Sequence, residues 1–159
     1  MPERYVAARG FKIISGGQTG ADRAGLDWAI DNHVAHGGRC PQGRKAEDGL
    51  IDPRYQLIET NDPNYLNRTK LNVEDSDATL IFTLAKELDG GSKKTREFAD
   101  KLGKPSRHVH PDTKPELIVA FLQRNNVKVL NVAGKRESSA PGIYLWVKSF
   151  LDQVIEPRE

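Results

Sequence analysis

A short apolar strand that leads through paired glycines into an amphipathic helix occurs twice in this chain, and it restricts the fold more than any other feature. The first copy covers residues 11–30, with Gly16–Gly17 after the strand. The second covers residues 78–102, with Gly90–Gly91 at the corresponding place. Strands that alternate with helices build an open, mainly parallel sheet with helices on both faces. We therefore predict an α/β fold of that kind.

The hydrophobic pattern extends this alternation along the rest of the chain. Residues 78–84 are aliphatic, aromatic or β-branched throughout, as expected for a strand covered on both faces. We predict a helix end and turn over 32–38, a polar loop over 42–49, and a poorly ordered lead-in at 1–10 before a single domain at 11–159. The predicted strands are 11–15, 38–41, 55–60, 78–84, 106–110 and 128–132, and the predicted helices are 24–30, 65–75, 92–102, 114–125 and 143–154.

The glycine loops after the predicted strands indicate a binding site for an anion. Loops after residues 15, 84 and 132 share the carboxyl edge of a parallel sheet, where ligands bind in such folds. A turn without Cβ atoms lets an anion approach backbone N–H groups, and the following helix N-terminus adds partial positive charge. The alternative is that the glycines only allow tight turns. The first loop matches neither the Gly-Lys-Ser/Thr ending of the P-loop nor the G-x-G-x-x-G spacing.

The net charge of +2, from 24 basic and 22 acidic side chains, is too small to predict a nucleic-acid partner. The positions of the cations are more informative. Cationic side chains that fall in or just after the loops of the predicted ligand edge are Arg23, Arg44, Lys45, Lys93, Lys94, Arg96, Lys135 and Arg136. They predict a cationic rim and an anionic ligand. The alternative is a mixed, solvated surface, since the same loops carry Asp22, Glu47, Asp48, Glu97 and Glu137.

The cysteine content and the apolar segments restrict the cellular compartment that we expect for the protein. The single cysteine, Cys40, excludes an internal disulfide, and the four histidines form no recognisable metal-ligand spacing with it. We favour a buried apolar role for this thiol over metal ligation. No apolar run approaches the ~18 residues that span a bilayer, and the first residues lack the apolar core of a signal peptide. We expect a soluble, cytoplasmic protein without a membrane partner.

Three segments together resemble the molybdenum cofactor carrier family: Ile14–Arg23, Cys40–Gly49 and Leu130–Ser138. That family is similar in turn to the Rossmann-like group that includes lysine-decarboxylase-like phosphoribohydrolases and DNA-processing-A-like proteins. The similarity covers about residues 11–155. It implies a Rossmann-like sheet, a phosphorylated ligand such as a nucleotide or molybdopterin, and a homo-oligomer. For a carrier of the molybdenum cofactor it also implies a molybdoenzyme that accepts the cargo.

The resemblance also implies which residues bind the ligand, with one altered motif. Where the related hydrolases carry Pro-Gly-Gly-x-Gly-Thr-x-x-Glu, this chain has Asp89 for the proline, Lys93 for the third glycine and Lys94 for the threonine. Glu97 corresponds to their glutamate, and no residue corresponds to their catalytic arginine. The implied ligand-binding residues are Gly16, Gly17, Gln18, Thr19, Gly20, Asp22, Arg23, Arg44, Lys45, Gly90, Gly91, Ser92, Thr95, Gly134 and Arg136.

Several of these side chains have a purely structural alternative. Ser92 is a good helix N-cap in any protein, although the preceding glycine pair favours ligand contact. Arg44 and Lys45 either clamp a phosphate or form a solvated surface pair. Glu97 fits an acid that the helix dipole favours in a first turn better than it fits a general base.

Two further groups of side chains are candidates outside the glycine loops. His108 and His110 face one side of a predicted strand, where we favour a structural role because a third metal ligand is missing. Side chains on the predicted helix 65–75 are expected to line the pocket, namely Tyr65, Arg68, Thr69 and Asn72. The alternative is that Asn72 and Asp77 only brace the turn into the next strand.

Two functions from different classes follow. The favoured one is a binding or carrier protein for a phosphorylated small molecule, either the molybdenum cofactor or a nucleotide. The alternative is a phosphoribohydrolase-type enzyme that cleaves the N-glycosidic bond of a nucleoside monophosphate and uses Glu97. The replacements at Lys93 and Lys94 disfavour the enzyme. A nucleic-acid or protein interaction module is disfavoured by the low net charge and the lack of an aromatic and basic stripe.

Overall fold

The computed structural model describes residues 3–158. Its helices are α1 (Ala21–Asp31), α2 (Tyr65–Asp75), α3 (Gly90–Leu102), α4 (Pro115–Arg124) and α5 (Ile143–Val154). Its strands are β1 (Tyr5–Val6), β2 (Lys12–Ile14), β3 (Ala35–Gly37), β4 (Arg39–Cys40), β5 (Lys45–Ala46), β6 (Gly49–Leu50), β7 (Ile58–Glu59), β8 (Ala78–Phe82), β9 (Ser106–Val109), β10 (Val129–Gly134) and β11 (Ile155–Glu156).

Five strands form one parallel sheet in the order β3-β2-β10-β8-β9. The predicted fold class, a Rossmann-like parallel sheet with helices, is thereby confirmed. Every residue of β8 is buried, which agrees with its continuous apolar and β-branched sequence. The helices predicted at 65–75 and 143–154 match α2 and α5, and α2 follows Asn64. The Asn64 side chain accepts a hydrogen bond from the Leu66 N–H (3.0 Å), as an N-cap residue does.

The central strand of this sheet comes from the end of the chain. β10 lies between β2 and β8, although it is the last strand of the sheet in sequence. If β10 were counted first, the order would be 3-2-1-4-5, which is the order of the doubly wound nucleotide-binding sheet. The two ends of the described chain lie side by side, because β1 pairs in parallel with β11. This arrangement is that of a circularly permuted Rossmann-like domain.

The two faces of the sheet differ in character. Side chains from one face, including Ile13, Leu80 and Leu130, belong to one large apolar cluster with residues of α1, α4 and α5. The other face, which α2 and α3 cover, carries the buried polar side chains Thr79 and Asn131. Asn131 Nδ2 donates to Thr79 Oγ1 at 3.2 Å. The polar layer therefore lies under α2 and α3, on the side where a polar ligand is easiest to accommodate.

Four segments differ from the sequence predictions. Residues 35–37, predicted as a turn, form the edge strand β3, which the sequence Ala-His-Gly does not signal. Residues 42–49, predicted as a loop, contain β5 and the start of β6, which pair as an antiparallel hairpin. The strand predicted at 55–60 is limited to β7 and pairs with β4 outside the main sheet. Within the lead-in, residues 5–6 form β1.

Gly134 allows β8 and β10 to approach α1, and its replacement should cost stability. Its φ is +152°, and a Cβ there would overlap the Phe82 carbonyl and the Ala21 side chain. We expect Gly134→Ala to lower the free energy of unfolding by about 1–3 kcal/mol, since overpacking forces backbone shifts. Urea denaturation measures the change. Gly91→Ala is the control, because a Cβ at Gly91 meets no atom within 4 Å. Equal stabilities would contradict the packing described.

Candidate ligand-binding cleft

A cleft of about 260 Å³ opens at the carboxyl ends of β2 and β10, between α2 and the N-terminus of α3. We call it the first compartment. It is lined by Gly16, Gln18, Asp22, Tyr65, Arg68, Thr69, Asn72, Gly91, Ser92, Thr95, Asn131, Val132, Ala133, Gly134, Lys135, Arg136 and Ser139.

A second compartment of about 290 Å³ adjoins the first beneath the β5–β6 hairpin. The two compartments share the walls made by Gly16, Gln18, Tyr65, Arg68 and Arg136. The second compartment is completed by Pro41, Gln42, Lys45, Ala46, Glu47 and Pro63. Together the compartments have a size typical of small-molecule sites, roughly 300–1,000 Å³.

Most of the ligand-binding residues implied by the sequence meet at this cleft, from loops that are distant in the chain. Those that line it are Gly16, Gln18, Asp22, Lys45, Gly91, Ser92, Thr95, Gly134 and Arg136. The side chains expected on α2 also line it. Asn72 does not brace the turn into β8; its side chain instead accepts from the Arg39 N–H (2.8 Å) and donates to the Arg39 carbonyl (3.0 Å) of β4.

The first glycine loop is closed by hydrogen bonds within the protein. The Gln18 N–H donates to Asp22 Oδ2 (3.3 Å), the Thr19 N–H to Gln18 Oε1 (3.0 Å), and the Ala21 N–H to the Lys135 carbonyl (3.1 Å). The loop was expected to present its amides to a phosphate. These three amides are instead satisfied internally, and Asp22 places a carboxylate beside them. The loop works mainly as a structural clamp between α1 and β10.

The glycines of that loop are required by packing rather than by ligand approach. A Cβ at Gly16 would overlap the Arg68 guanidinium, and one at Gly17 would meet Leu57 and Ile51. Gly20, with φ +80°, lies against the backbone of residues 135–137. Gly17 and Gly20 do not line either compartment. For these two residues the geometry therefore favours the alternative that the glycines only allow tight turns.

Arg44 and Arg23 are turned into the protein and away from the cleft. The Arg44 guanidinium donates to four carbonyl oxygens of the segment 51–57, at 3.0–3.4 Å. The Arg23 guanidinium donates to the Gly17 carbonyl (2.9 Å) and pairs with Asp48 (2.7 Å). The predicted phosphate clamp at Arg44 is therefore not in place, because this arginine organises the loop that follows the hairpin. Lys45, by contrast, lines the second compartment.

The tip of the β5–β6 hairpin is held over the cleft by Glu47. This carboxylate accepts hydrogen bonds from the Thr19 hydroxyl and from the Ser138 N–H (3.2 Å), and Arg136 lies 4.0 Å away. Hydrogen bonds from Ser138 and Thr19 lower the pKa of Glu47 below its usual value. Thr19 is thus a latch for the hairpin and lines neither compartment.

A buried ion pair forms the wall between the two compartments. Arg68 Nη1 donates to Asp22 Oδ2 at 3.0 Å, and the two side chains are 13% and 6% exposed. Burial raises the pKa of Asp22, and the neighbouring Arg68 opposes that shift. Arg68 Nε is buried without a hydrogen-bond partner in the described structure. Asp22 is the only acceptor of this guanidinium among the described residues, so its remaining N–H groups keep donor capacity.

The second glycine loop differs from the first because a polar side chain beside it has no hydrogen-bond partner within the described residues. α3 begins at Gly90, and its N-cap residue Asp89 pairs with Lys135 and does not cap the helix by a side-chain bond. Ser92, in the first turn, lines the first compartment and is 4% exposed, yet its Oγ has no hydrogen-bond partner among residues 3–158. Thr95 Oγ1 donates to the Gly91 carbonyl (3.0 Å). The N-terminus of α3 thus presents an unsatisfied hydroxyl beside backbone amides.

Some residues highlighted by the sequence lie elsewhere. Glu97 is exposed and lines neither compartment, so no carboxylate is poised over the cleft at this position. Cys40 is buried in an apolar cluster with Leu26, Ile51 and Tyr55, as expected for an apolar role. His108 Nε2 lies 2.6 Å from Thr83 Oγ1.

Sequence reasoning missed several lining residues of the cleft. The clearest case is Asn131, a buried polar residue inside a strand, whose position in the middle of an apolar run was a usable signal. Ser139, Gln42 and Pro63 carried no such signal, since polar loop residues are common on any surface.

The fold and the cleft define a Rossmann-like ligand-binding domain whose central strand is displaced to the end of the chain. Residues 13–155 match the model of the circularly permutated YpsA SLOG family, and the chain belongs to that family. It is similar to the crystal structure of a putative molybdenum carrier protein from Syntrophus aciditrophicus SB, with 43% sequence identity, a TM-score of 0.84, and coverage of 89% of this chain and 92% of that one.

A more distant similarity is found to the structure of (E)-4-hydroxy-3-methyl-but-2-enyl diphosphate reductase, with 14% identity, a TM-score of 0.42, and coverage of 92% of this chain and 60% of that one. This identity and this TM-score are too low to support an argument about function. No curated protein matches the sequence significantly. Within residues 3–158, the structure contains no helix long and apolar enough to cross a membrane. The family and the solved relative indicate a ligand-binding function.

Arg68→Met should destabilise the protein in a pH-dependent way. It leaves Asp22 buried without its partner, which costs about 3–5 kcal/mol. The pKa of Asp22 should rise further above its unfolded value, so the native state binds the extra proton and stability falls as pH rises. We expect the deficit relative to wild type, measured by urea denaturation, to be smaller at pH 4 than at pH 8. Adding Asp22→Asn should recover most of it. A deficit independent of pH would contradict the ion pair.

Proposed function

We propose that the cleft binds a phosphorylated small molecule, with its phosphate against the N-terminus of α3. The observation that carries this proposal is the Ser92 hydroxyl, which is buried at the cleft without a hydrogen-bond partner in the described part of the chain. A buried hydroxyl without a hydrogen bond costs free energy, and a ligand oxygen would satisfy it. The neighbouring glycines leave room for that oxygen, since a Cβ at Gly91 would meet no atom within 4 Å.

The charges around this helix terminus favour an anion. The N-terminus of α3 carries partial positive charge, and Gly91 and Ser92 of its first turn line the cleft. Lys135 also lines the first compartment, and its ammonium group is held near Gly90 by the ion pair with Asp89. Helix dipole, amide donors, hydroxyl and cation together suit a phosphate better than a neutral group.

Two kinds of cargo fit this description, the molybdenum cofactor and a nucleotide. The first is supported by the solved relative, which bears the name molybdenum carrier. A molybdopterin-type cofactor has a terminal phosphate and an anionic metal-oxo end. Arg136 and Lys45 are positioned to neutralise that second anionic end without a protein thiolate, because Cys40 is buried outside both compartments.

The partners follow from the same proposal. A carrier in the cytoplasm must hand its cargo to an acceptor, which for the molybdenum cofactor is a molybdoenzyme. The family resemblance further suggests a homo-oligomer.

Phosphate-bearing ligands should stabilise the protein through Ser92. A ligand at about 100 times its dissociation constant adds roughly 2.7 kcal/mol to the free energy of unfolding. Ser92→Ala removes an unsatisfied hydroxyl, so the stability of the free protein should be unchanged or higher while the stabilisation by phosphate, nucleoside monophosphates or molybdopterin shrinks. Thermal shift measures both quantities. Ser149→Ala, on the exposed side of α5, is the control. No shift with any of these ligands at millimolar concentration and low salt would refute the phosphate site.

Retention of molybdopterin tests the identity of the cargo. Protein loaded with the cofactor and separated from free ligand should retain pterin, which is detected by the fluorescence of its oxidised form. Retention should fall in Ser92→Ala and in Arg136→Ala and should survive Cys40→Ala. It should also weaken with salt, because exposed cations are screened over about 8–10 Å at physiological ionic strength. Retention no greater than on an unrelated protein would exclude this cargo.

A further inference from the structure

The second compartment has donors and an aromatic face but few available acceptors. Arg68, Lys45 and Arg136 line it, and their side chains can only donate hydrogen bonds. Two of the side-chain acceptors that line it, Glu47 and Gln18, are already used, while the exposed Gln42 amide can both accept and donate. Glu47 accepts from Thr19 and Ser138, and Gln18 Oε1 accepts from the backbone N–H groups of residues 19 and 47. A ligand group here therefore gains most if it offers acceptor oxygens or nitrogens.

Tyr65 supplies a flat surface at the same place. It begins α2, lines both compartments, and is 47% exposed although its ring is large and apolar. An aromatic side chain at a site boundary stacks on the face of a planar ring, an interaction that every heteroaromatic base can make. Stacking on Tyr65 does not discriminate between heteroaromatic rings. Specificity for one ring therefore depends on the hydrogen-bonding groups around the stacked ring.

Cations also outnumber carboxylates in the second compartment. Arg68, which lines both compartments, is paired with Asp22 and adds donor groups without net charge. Among the described lining residues, Glu47 is then the only carboxylate against Lys45 and Arg136. The excess of positive donors favours a carbonyl oxygen, which carries partial negative charge, over an amino group, which is itself a donor. Arginine pairs with guanine through O6 and N7 for this reason.

From these observations we propose that the second compartment selects an oxo-substituted nitrogen heterocycle, stacked on Tyr65 with its carbonyl edge toward Arg68 and Arg136. Guanine, hypoxanthine and the pterin ring share this edge chemistry, whereas adenine presents an amino group there. This inference rests on the proposed function, because it takes the phosphate of the same ligand to lie at Ser92. Beyond the proposed function, it specifies the chemical class of the ring that the ligand carries.

Ligand affinities measured by calorimetry test the proposal with the full-length protein. The probes are inorganic phosphate, ribose 5-phosphate, AMP, GMP, IMP and molybdopterin. We expect GMP and IMP to bind at least about fivefold more tightly than AMP, in line with the discrimination of a good arginine contact. AMP binding as tightly as GMP would overturn the proposed selectivity. Molybdopterin tighter than GMP would identify the pterin as the source of the ring, and the reverse would identify a nucleotide.

Variants of Tyr65 separate the ring site from the phosphate site. Tyr65→Leu should weaken GMP by about five- to 100-fold through lost stacking and leave ribose 5-phosphate unchanged, whereas Tyr65→Phe should retain GMP affinity. Equal weakening of both ligands, or no weakening of either, would refute the ring site. If wild type binds neither phosphate nor ribose 5-phosphate, the proposed function fails as well. If it binds both and GMP gains nothing over ribose 5-phosphate, the ring site alone fails.

Discussion

The buried pair between Asp22 and Arg68 fixes the geometry on which the candidate site depends. It joins the first turn of α1 to α2, across 46 residues of sequence. It also explains two properties of the first glycine loop: Asp22 closes the loop by accepting the Gln18 N–H, and Arg68 lies where a Cβ of Gly16 would be. Buried ion pairs add little net stability, but they penalise any arrangement that separates the charges. The pair therefore acts mainly by holding the wall between the two compartments in one position.

The position of β10 imposes the second constraint. This strand pairs with both β2 and β8, so the sheet becomes continuous only when its last strand in sequence is inserted at its centre. The loop that follows β10 closes the first glycine loop through the Lys135 carbonyl and latches the hairpin through Ser138. Segments that are more than a hundred residues apart in sequence thus form one binding edge. Circular permutation changes the chain order of the Rossmann-like sheet without changing which loops meet.

The local sequence pattern predicted the helices and strands that have a strong periodic or apolar signal. It missed the strands that are defined only by pairing with another strand. β8 and α2 were predictable because one is continuously apolar and the other has a clear N-cap and period. β3 was not, because an edge strand with the sequence Ala-His-Gly is defined only by its pairing with β2. The site shows the same division. Ser92 was found from its place after a glycine pair, whereas the inward turn of Arg44 depends on four carbonyl oxygens that the fold alone brings together.

Of the helices that begin beside the cleft, α2 is capped by Asn64, and the N-termini of α1, α3 and α5 differ in their contacts. Asp22 occupies the start of α1, and the Glu137 carboxylate caps α5 by accepting the N–H groups of residues 142 and 144 (2.7 and 3.1 Å). An anion at either helix would have to displace a carboxylate and would face its charge. At α3, Asp89 pairs with Lys135 and makes no side-chain cap bond to the helix. In the proposed binding mode, a phosphate at α3 therefore directs the rest of the ligand past Arg68 and Tyr65 toward the hairpin, because the carboxylates at α1 and α5 disfavour the opposite orientation.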